Sequence, residues 1–235
     1  MTTIADNLQS VRQRIAKACA GAQRDVNEIT LLAVSKTFGP EAVRAAHSAG
    51  LAAFGENYIQ EAVEKIGLLH DLPLQWHCIG PIQSNKTRLV AAHFEWAQTI
   101  DRLKIAQRLS EQRPPARGPL QVCIQVNVDG GATKAGVAPG DALALARDVA
   151  QLPGLKLRGL MTIPEPVPGF GAQKALHARA RTLFDQLRDA GLQLDTLSMG
   201  MTADLEAAIA AGSTMVRVGT AIFGIRPATA GALSA

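Results

Sequence analysis

A lysine follows directly on a short apolar run that is typical of a buried strand. The run is 30–35 (TLLAVS), and at a period of two Leu32, Val34 and Lys36 share one strand face. An amine held above apolar side chains is easily deprotonated and can form a Schiff base with an aldehyde. The pattern therefore predicts a reactive amine at Lys36. A structural ion pair at a strand end is the alternative.

Hydroxyl groups and glycines follow two later strand-like runs. Residues 198–202 (SMGMT) precede a helical segment that opens at 203–206, and 217–220 (RVGT) close the last run. Hydroxyls, small glycines and helix N-termini together bind anions. Each piece alone is more often a capped helix start, but two of them at neighbouring strand ends favour a phosphate site.

A reactive amine and a phosphate site at one opening fit a phosphorylated aldehyde such as pyridoxal 5′-phosphate. Arg217 shares a strand face with Met215 and is predicted to point inward, beside the pyridine nitrogen. Because a guanidinium does not give up its proton, the ring nitrogen would stay unprotonated and the ring would be a weaker electron sink. The alternative for Arg217 is an ion pair with a carboxylate of a neighbouring strand.

Strand-like runs alternate with helical stretches along the chain, after an opening helix with Ile4, Leu8, Val11 and Ile15 on one face. This alternation predicts an α/β protein with a parallel sheet, and eight units suit a single closed (β/α)8 TIM barrel with an extra N-terminal helix. A doubly wound open sheet is the alternative, but no GxGxxG follows the first strand. The predicted strands are 30–35, 51–54, 74–79, 96–100, 120–128, 157–162, 196–199 and 214–218. The predicted helices between them are 40–50, 58–69, 84–93, 102–112, 140–151, 172–190 and 203–211.

Two Pro- and Gly-rich segments, 113–119 and 164–169, resemble linkers. Cutting the chain at either one would leave exposed edges on a parallel sheet, so both are predicted to be loops. Residues 1–226 are therefore predicted to form one domain. Residues 227–235 lack periodicity and are predicted to be a flexible C-terminal tail.

Composition argues against several classes of protein. The net charge is +4, but the basic residues are scattered and only one Tyr and two Trp are available to stack on bases, so no nucleic-acid partner is expected. No apolar stretch approaches about 18 residues, and the N-terminus lacks a secretory pattern, so neither membrane insertion nor export is expected. The cysteines, Cys19, Cys78 and Cys123, lack metal-site or disulfide spacing. A cytoplasmic protein without a metal is predicted.

Six segments, in this order, together resemble the motifs of the pyridoxal phosphate homeostasis proteins, single-barrel relatives of the N-terminal domain of alanine racemase. The resemblance runs from the opening helix to about Arg226. The segments are 34–37 (VSKT), 54–58 (FGENY), 76–86 (WHCIGPIQSNK), 159–164 (GLMTIP), 198–201 (SMGM) and 215–224 (MVRVGTAIFG).

The resemblance implies a barrel of pyridoxal-phosphate fold type III in which Lys36 holds the cofactor as a Schiff base and Arg217 faces the pyridine nitrogen. It implies a phosphate site formed by Ser198, Gly200, Gly219 and Thr220. It also implies that Asn57 and Met161 lie near the ring. His77 is either a wall of the pocket or a core histidine, and the core interpretation is preferred.

Two positions depart from the pattern that the resemblance leads us to expect. Thr202 stands where relatives commonly have Ser, which retains a hydroxyl. Gly130 and Gly131 precede Lys134, whereas relatives often carry acidic residues there. Lys134 takes part either in cofactor exchange or only in a mobile loop, and the sequence leaves both open.

The resemblance leaves two classes of function. A racemase of this fold needs a second acid–base group, a tyrosine from a further domain, but the one tyrosine here, Tyr58, follows the second strand. The expected function is therefore to buffer pyridoxal phosphate and deliver it to apo-enzymes in intracellular vitamin B6 homeostasis, as a monomer. A weakly active amino-acid racemase is the alternative, and a phosphosugar enzyme without this cofactor is a third.

Overall fold

The computed structural model describes residues 2–131 and 135–225, in which eight parallel strands close into one barrel in sequence order. The predicted α/β barrel is confirmed. The strands are β1 Thr30–Val34, β2 Ala53–Glu56, β3 Gln75–Cys78, β4 Trp96–Ile100, β5 Leu120–Gln125, β6 Leu155–Met161, β7 Thr196–Met201 and β8 Met215–Val218. The α-helices of these residues are α1 Ile4–Gly21, α2 Pro40–Ser48, α3 Ile59–Leu68, α4 Thr87–His93, α5 Leu103–Gln112, α6 Ala142–Ala150, α7 Phe170–Asp189, α8 Leu205–Ala210 and α9 Thr220–Phe223.

The extra N-terminal helix begins at a capping box formed by Thr3 and Asp6, which satisfies the first backbone amides. Its predicted apolar face is the buried one, with Leu8, Val11 and Ile15 almost wholly enclosed. The helix packs against α8, α9 and α2. It therefore supports the helices that follow β7 and β8, which carry one side of the site described below.

The barrel closes where β1 pairs with β8, and Leu32 lies opposite Arg217 in that register. This pairing brings the end of the first strand beside the end of the last, although 181 positions separate Lys36 from Arg217 in the sequence numbering. Side chains at the carboxyl ends of these two strands consequently share one opening of the barrel.

Apolar residues inside the barrel form two small groups separate from the large core between sheet and helices. One group contains Leu32, Ala53, Ile79 and Met215, and the other contains Trp96, Cys123 and Met161. Between these groups lie buried polar side chains of β3, β4, β7 and β8, which are described with the site. Barrel interiors are usually filled by branched aliphatic residues, so this polar content calls for an explanation.

Several element bounds differ from the predicted ones. β5 ends at Gln125 rather than at residue 128, and the next residue, Val126, makes an isolated bridge with Val137. β7 extends to Met201 through a register shift against β8. The segment 164–169 contains no strand or helix, and 113–119 contains one short 3-10 turn.

The C-terminal tail predicted for 227–235 lies outside the described residues. Within the described residues, no helix combines the length and the apolar character that crossing a bilayer requires.

Candidate functional site

A pocket of about 270 Å³ opens at the carboxyl ends of the strands. It contains five of the eight residues predicted to bind a cofactor, and the hydroxyl-bearing Thr202 lies beside them. Its lining residues come from the ends of β1, β2, β3, β6, β7 and β8: Val34, Lys36, Asn57, Ile79, Ile163, Met201, Thr202, Ala203, Arg217, Gly219 and Thr220.

The backbone on both sides of Lys36 is held by a buried polar cluster. The Ser35 hydroxyl donates to Glu56 Oε1 at 2.6 Å, and Lys65 Nζ donates to the Ser35 carbonyl at 3.0 Å. After the lysine, the Thr37 amide donates to Glu61 Oε1 at 2.9 Å. Thr37 has a positive φ of 68°, which a residue with a branched side chain adopts only when its surroundings hold it there.

Glu56 and Lys65 form an almost fully buried ion pair behind Lys36, with 2.7 Å between Lys65 Nζ and Glu56 Oε1. Burial raises the pKa of Glu56, and the charge of Lys65 with its hydrogen bond opposes that rise. A carboxylate at the end of β2 thus anchors the end of β1 through Ser35. The sequence prediction missed this pair; the signal was Glu56 at a strand end with a lysine on the following helix.

Arg217 lies at the bottom of the pocket and is 3% exposed. Its Nη1 donates to Ser198 Oγ at 2.9 Å and its Nη2 to the Thr162 carbonyl at 2.7 Å. Burial lowers the pKa of Arg217 to about 10, so the guanidinium is still charged at neutral pH. Within the described part of the chain no ion pair includes Arg217, so the alternative of a carboxylate partner on a neighbouring strand is not found there.

Three of the predicted site residues lie beneath or behind the pocket lining. Met161 is buried with Trp96 and Cys123 inside the barrel. Ser198 donates its hydroxyl proton to Gln98 Oε1 at 2.7 Å while accepting from Arg217. Gly200 has a φ of 92° and lies against Ala208 of α8. Direct contact of these three residues with a cofactor stays a prediction.

The turn between β7 and α8 is fixed by charged groups on its outer side. Asp204 Oδ1 accepts from the Met201 amide at 2.6 Å, and Asp204 Oδ2 pairs with His177 Nε2 at 2.9 Å. Burial acts to raise the pKa of Asp204, but the hydrogen bonds from His177 and Met201 outweigh it, so the pKa lies below its ordinary value. Arg14 of α1 donates to the Thr202 carbonyl at 2.8 Å. These contacts hold the backbone of the turn, and Thr202 lines the pocket.

The end of β8 supplies the neighbouring part of the lining. Gly219 lies close to β1, since an added Cβ would be 3.2 Å from the Val34 carbonyl oxygen. Thr220 begins α9 and lines the pocket. The first amides of a helix have no intrahelical acceptor, so they are suited to an anionic group. Together with Thr202, these residues form the part of the pocket that suits a phosphate.

His77 is a core residue rather than a wall of the pocket. Its Nδ1 lies 2.9 Å from Gln98 Nε2, and its ring stacks on Trp96 with 5.0 Å between centroids. Burial lowers the pKa of His77 to about 3, so the imidazole is neutral at physiological pH. Nε2 is buried and has no hydrogen-bond partner among the described residues.

Two other residues discussed from the sequence lie away from this pocket or outside the description. Tyr58 precedes α3, is 54% exposed and does not line the pocket. Lys134 lies outside the described residues, so both interpretations of it stay open. No group of three or more His, Cys, Asp or Glu side chains suited to a metal ion occurs within 2–131 and 135–225.

Comparison with known proteins defines the class first. Residues 2–227 match the family described as the N-terminal domain of alanine racemase. An alanine racemase of Clostridium difficile shares the fold at a TM-score of 0.70 and 14% identity, and the match covers 93% of this chain but 57% of that one. The chain is thus a barrel of the alanine racemase N-terminal type.

Close relatives then define the family. A pyridoxal phosphate homeostasis protein of Pseudomonas aeruginosa is 61% identical over 226 residues, covering 96% of this chain and 97% of that protein. One from Escherichia coli K12 is 51% identical, with 96% and 98% covered. The structure of PipY from Synechococcus elongatus with PLP bound matches at a TM-score of 0.82 and 37% identity, covering 94% of this chain and all of that one. The chain belongs to the pyridoxal phosphate homeostasis protein family, as the sequence motifs predicted.

We expect Gly200→Ala to destabilise the protein by about 2 to 5 kcal/mol, from strain at positive φ and from overpacking. The new Cβ would lie 2.4 Å from the Ala208 Cβ, on a backbone with φ 92°. Urea unfolding measures the loss, and adding Ala208→Gly should recover the packing part of it. Gly171→Ala is the control, because an added Cβ there meets nothing within 4 Å. Equal stability of Gly200→Ala and wild type would contradict the assignment of this tight turn.

The buried neutral state of His77 predicts a loss of stability in acid. The pKa of His77 is about 3 in the folded protein, against an ordinary value of 6.5. Below pH 6.5 the unfolded chain therefore binds a proton at this residue that the folded protein does not bind. Between pH 7 and pH 5 the free energy of unfolding of the wild type should fall by about 2 kcal/mol because of this group. His77→Gln should not show that fall. Urea unfolding at both pH values measures the difference. The exposed His70→Gln is the control and should follow the wild type; a His77→Gln variant with the same pH dependence as wild type would show that His77 is not buried neutral.

Proposed function

We propose that this protein binds pyridoxal 5′-phosphate in the described pocket and serves to buffer it and to deliver it to other proteins. The observation that carries the proposal is the placement of Lys36 and Arg217 in one pocket at the carboxyl ends of adjacent strands. Family membership supports the same cofactor, since the relatives are named for pyridoxal phosphate homeostasis and the related PipY structure has PLP bound.

The residues of the pocket fit this cofactor chemically. An amine suits its aldehyde, a buried guanidinium suits the ring nitrogen, and threonine hydroxyls beside glycines suit its phosphate. Asn57 adds an acceptor, because its Oδ1 is buried and has no hydrogen-bond partner in the described structure. A buried polar atom of this kind normally has a partner, so a bound polar ligand accounts for it.

When bound, pyridoxal phosphate supplies an aldehyde that an amine can capture and a ring that withdraws electrons. In our proposal the Lys36 amine provides covalent attachment, and Arg217 directs a charged donor at the ring nitrogen. Thr202, Thr220 and the backbone around Gly219 bind the phosphate. Ser198 contributes by holding Arg217, to which it is hydrogen-bonded, and Gly200 by shaping the turn before Thr202.

Carrying rather than catalysis is favoured by the shortage of acid–base groups in the pocket. Among its described lining residues, the titratable ones are Lys36 and Arg217. A racemase needs a proton donor or acceptor on each face of the bound amino acid, and a guanidinium does not exchange its proton readily. Arg217 also keeps the ring nitrogen unprotonated, which weakens electron withdrawal. We therefore favour a carrier over the alternative of a weak amino-acid racemase.

The wider setting of the proposal follows from the sequence. The functional unit is the single domain 1–226, acting as a monomer in the cytoplasm. Apo-forms of pyridoxal-phosphate enzymes are the proposed recipients. Neither nucleic acid nor a membrane is a proposed partner, and no metal is required.

Replacing Lys36 with Ala should abolish covalent attachment and with it the yellow colour of protein incubated with pyridoxal phosphate. Borohydride reduction followed by peptide mass spectrometry should find the cofactor's mass on the peptide containing Lys36 in wild type. Lys104→Ala removes an exposed lysine of α5 and should load like wild type. Yellow colour that survives dialysis in Lys36→Ala would place the attachment elsewhere.

A carrier should not accelerate exchange of the α-protons of amino acids beyond what the free cofactor achieves. The loaded protein is incubated in deuterated water with a panel of amino acids, and deuterium uptake is followed by mass spectrometry. Free pyridoxal phosphate at equal concentration is the reference. Uptake at catalytic rates that is lost in Lys36→Ala would identify an enzyme and reject the carrier proposal.

A further inference from the structure

Four polar side chains cross the inside of the barrel beneath the pocket. In spatial order they are Arg217 of β8, Ser198 of β7, Gln98 of β4 and His77 of β3, and none is more than 3% exposed. Burying polar groups costs free energy unless they are hydrogen-bonded. Each is indeed linked to the next, at 2.9 Å, 2.7 Å and 2.9 Å.

The direction of each hydrogen bond in this series is determined by its first member. Arg217 can only donate, so Ser198 Oγ accepts from it and gives its own single proton to Gln98 Oε1. The Gln98 amide group then donates to His77 Nδ1, and its nitrogen also lies 3.1 Å from Met215 Sδ. If the Gln98 amide were turned over, the Ser198 proton would have no acceptor in this series. The need for an acceptor of the Ser198 proton therefore selects one orientation of Gln98, and Gln98 in turn selects the tautomer of His77 that accepts at Nδ1.

The Ser198 hydroxyl is one of two acceptors that orient Arg217, the other being the Thr162 carbonyl. Because a guanidinium is planar, acceptors on two of its nitrogens determine the plane of the group. A serine hydroxyl rotates freely unless it has its own acceptor. Gln98 supplies that acceptor, although it does not line the pocket.

We propose that Gln98 is a positioning residue of the cofactor site, acting through Ser198 on the guanidinium of Arg217, with His77 holding Gln98 in turn. This inference rests on the proposed binding of pyridoxal phosphate in the pocket. It assigns the polar interior of the barrel a role in presenting Arg217 to the pyridine nitrogen. The competing explanation is that Gln98 only fills the core.

The test compares wild type with Gln98→Met, which keeps similar volume but replaces the amide oxygen that accepts from Ser198 with at most a weak sulfur acceptor. Losing one oriented hydrogen bond should raise the Kd for pyridoxal phosphate by roughly 3- to 10-fold and shift the absorption maximum of the bound cofactor. Cys123→Ala, another buried interior change, is the control for stability loss alone. The control variant should leave the Kd and the absorption maximum unchanged. If Gln98→Met has the same Kd and the same absorption maximum as wild type, the proposal is overturned.

A double-mutant cycle tests the route through Ser198. If Gln98 acts through that hydroxyl, Gln98→Met combined with Ser198→Ala should bind the cofactor no more weakly than Ser198→Ala alone. If the double variant raises the Kd by the product of the two separate increases, the route through Ser198 is overturned. If wild type itself takes up no pyridoxal phosphate, the proposed function fails; the Gln98 inference is then judged on ligand-free crystal structures. A changed Arg217 conformation in Gln98→Met would support it, and an unchanged one would reject it.

Discussion

The barrel encloses a guanidinium that no carboxylate contacts within the described residues. A charge taken out of water in this way must be compensated by hydrogen bonds, and Arg217 receives compensation from the Thr162 carbonyl and the Ser198 hydroxyl. The Ser198 hydroxyl needs an acceptor for its own proton, and Gln98 provides one. Gln98 is in turn hydrogen-bonded to His77, so both residues lie inside the barrel. The two small apolar groups inside the barrel pack on either side of this arrangement. The polar interior thus follows from the hydrogen bonds that one enclosed cation requires.

The carboxylates that position the site lie behind its lining rather than in it. Glu56 is bonded to Lys65 and Ser35 behind the Lys36 segment, and Asp204 is bonded to His177 and to the Met201 amide on the outer side of the turn between β7 and α8. Each helps to hold a strand end in place through these hydrogen bonds. The described lining consequently contains cations and no acid, and a dianionic ligand meets an attractive potential there.

Period-two patterning is enough to predict that Lys36 and Arg217 point into the barrel mouth, because both lie at the ends of short, buried strands. The same reasoning could not find Gln98, whose partner Ser198 is 100 positions away; only barrel closure brings them together. Nor could it separate Ser198 from Thr202. The register shift in β7 and the positive φ of Gly200 direct Ser198 beneath the pocket and Thr202 to its wall. Such shifts depend on close contacts between elements, here between Gly200 and Ala208, and leave no periodic trace in the sequence.

The way Arg217 is held bears on why a barrel of the racemase type would carry a cofactor rather than use it. A guanidinium that could swing away from the ring nitrogen would allow that nitrogen to be protonated, and a protonated ring withdraws electrons more strongly. Two acceptors on Arg217, one of them fixed by Gln98, oppose that movement. The pocket also offers no described second acid–base group to exploit a more reactive ring. Both features act in the same direction. In our proposal they limit the chemistry open to an attached aldehyde, which is what a store of cofactor for other proteins requires.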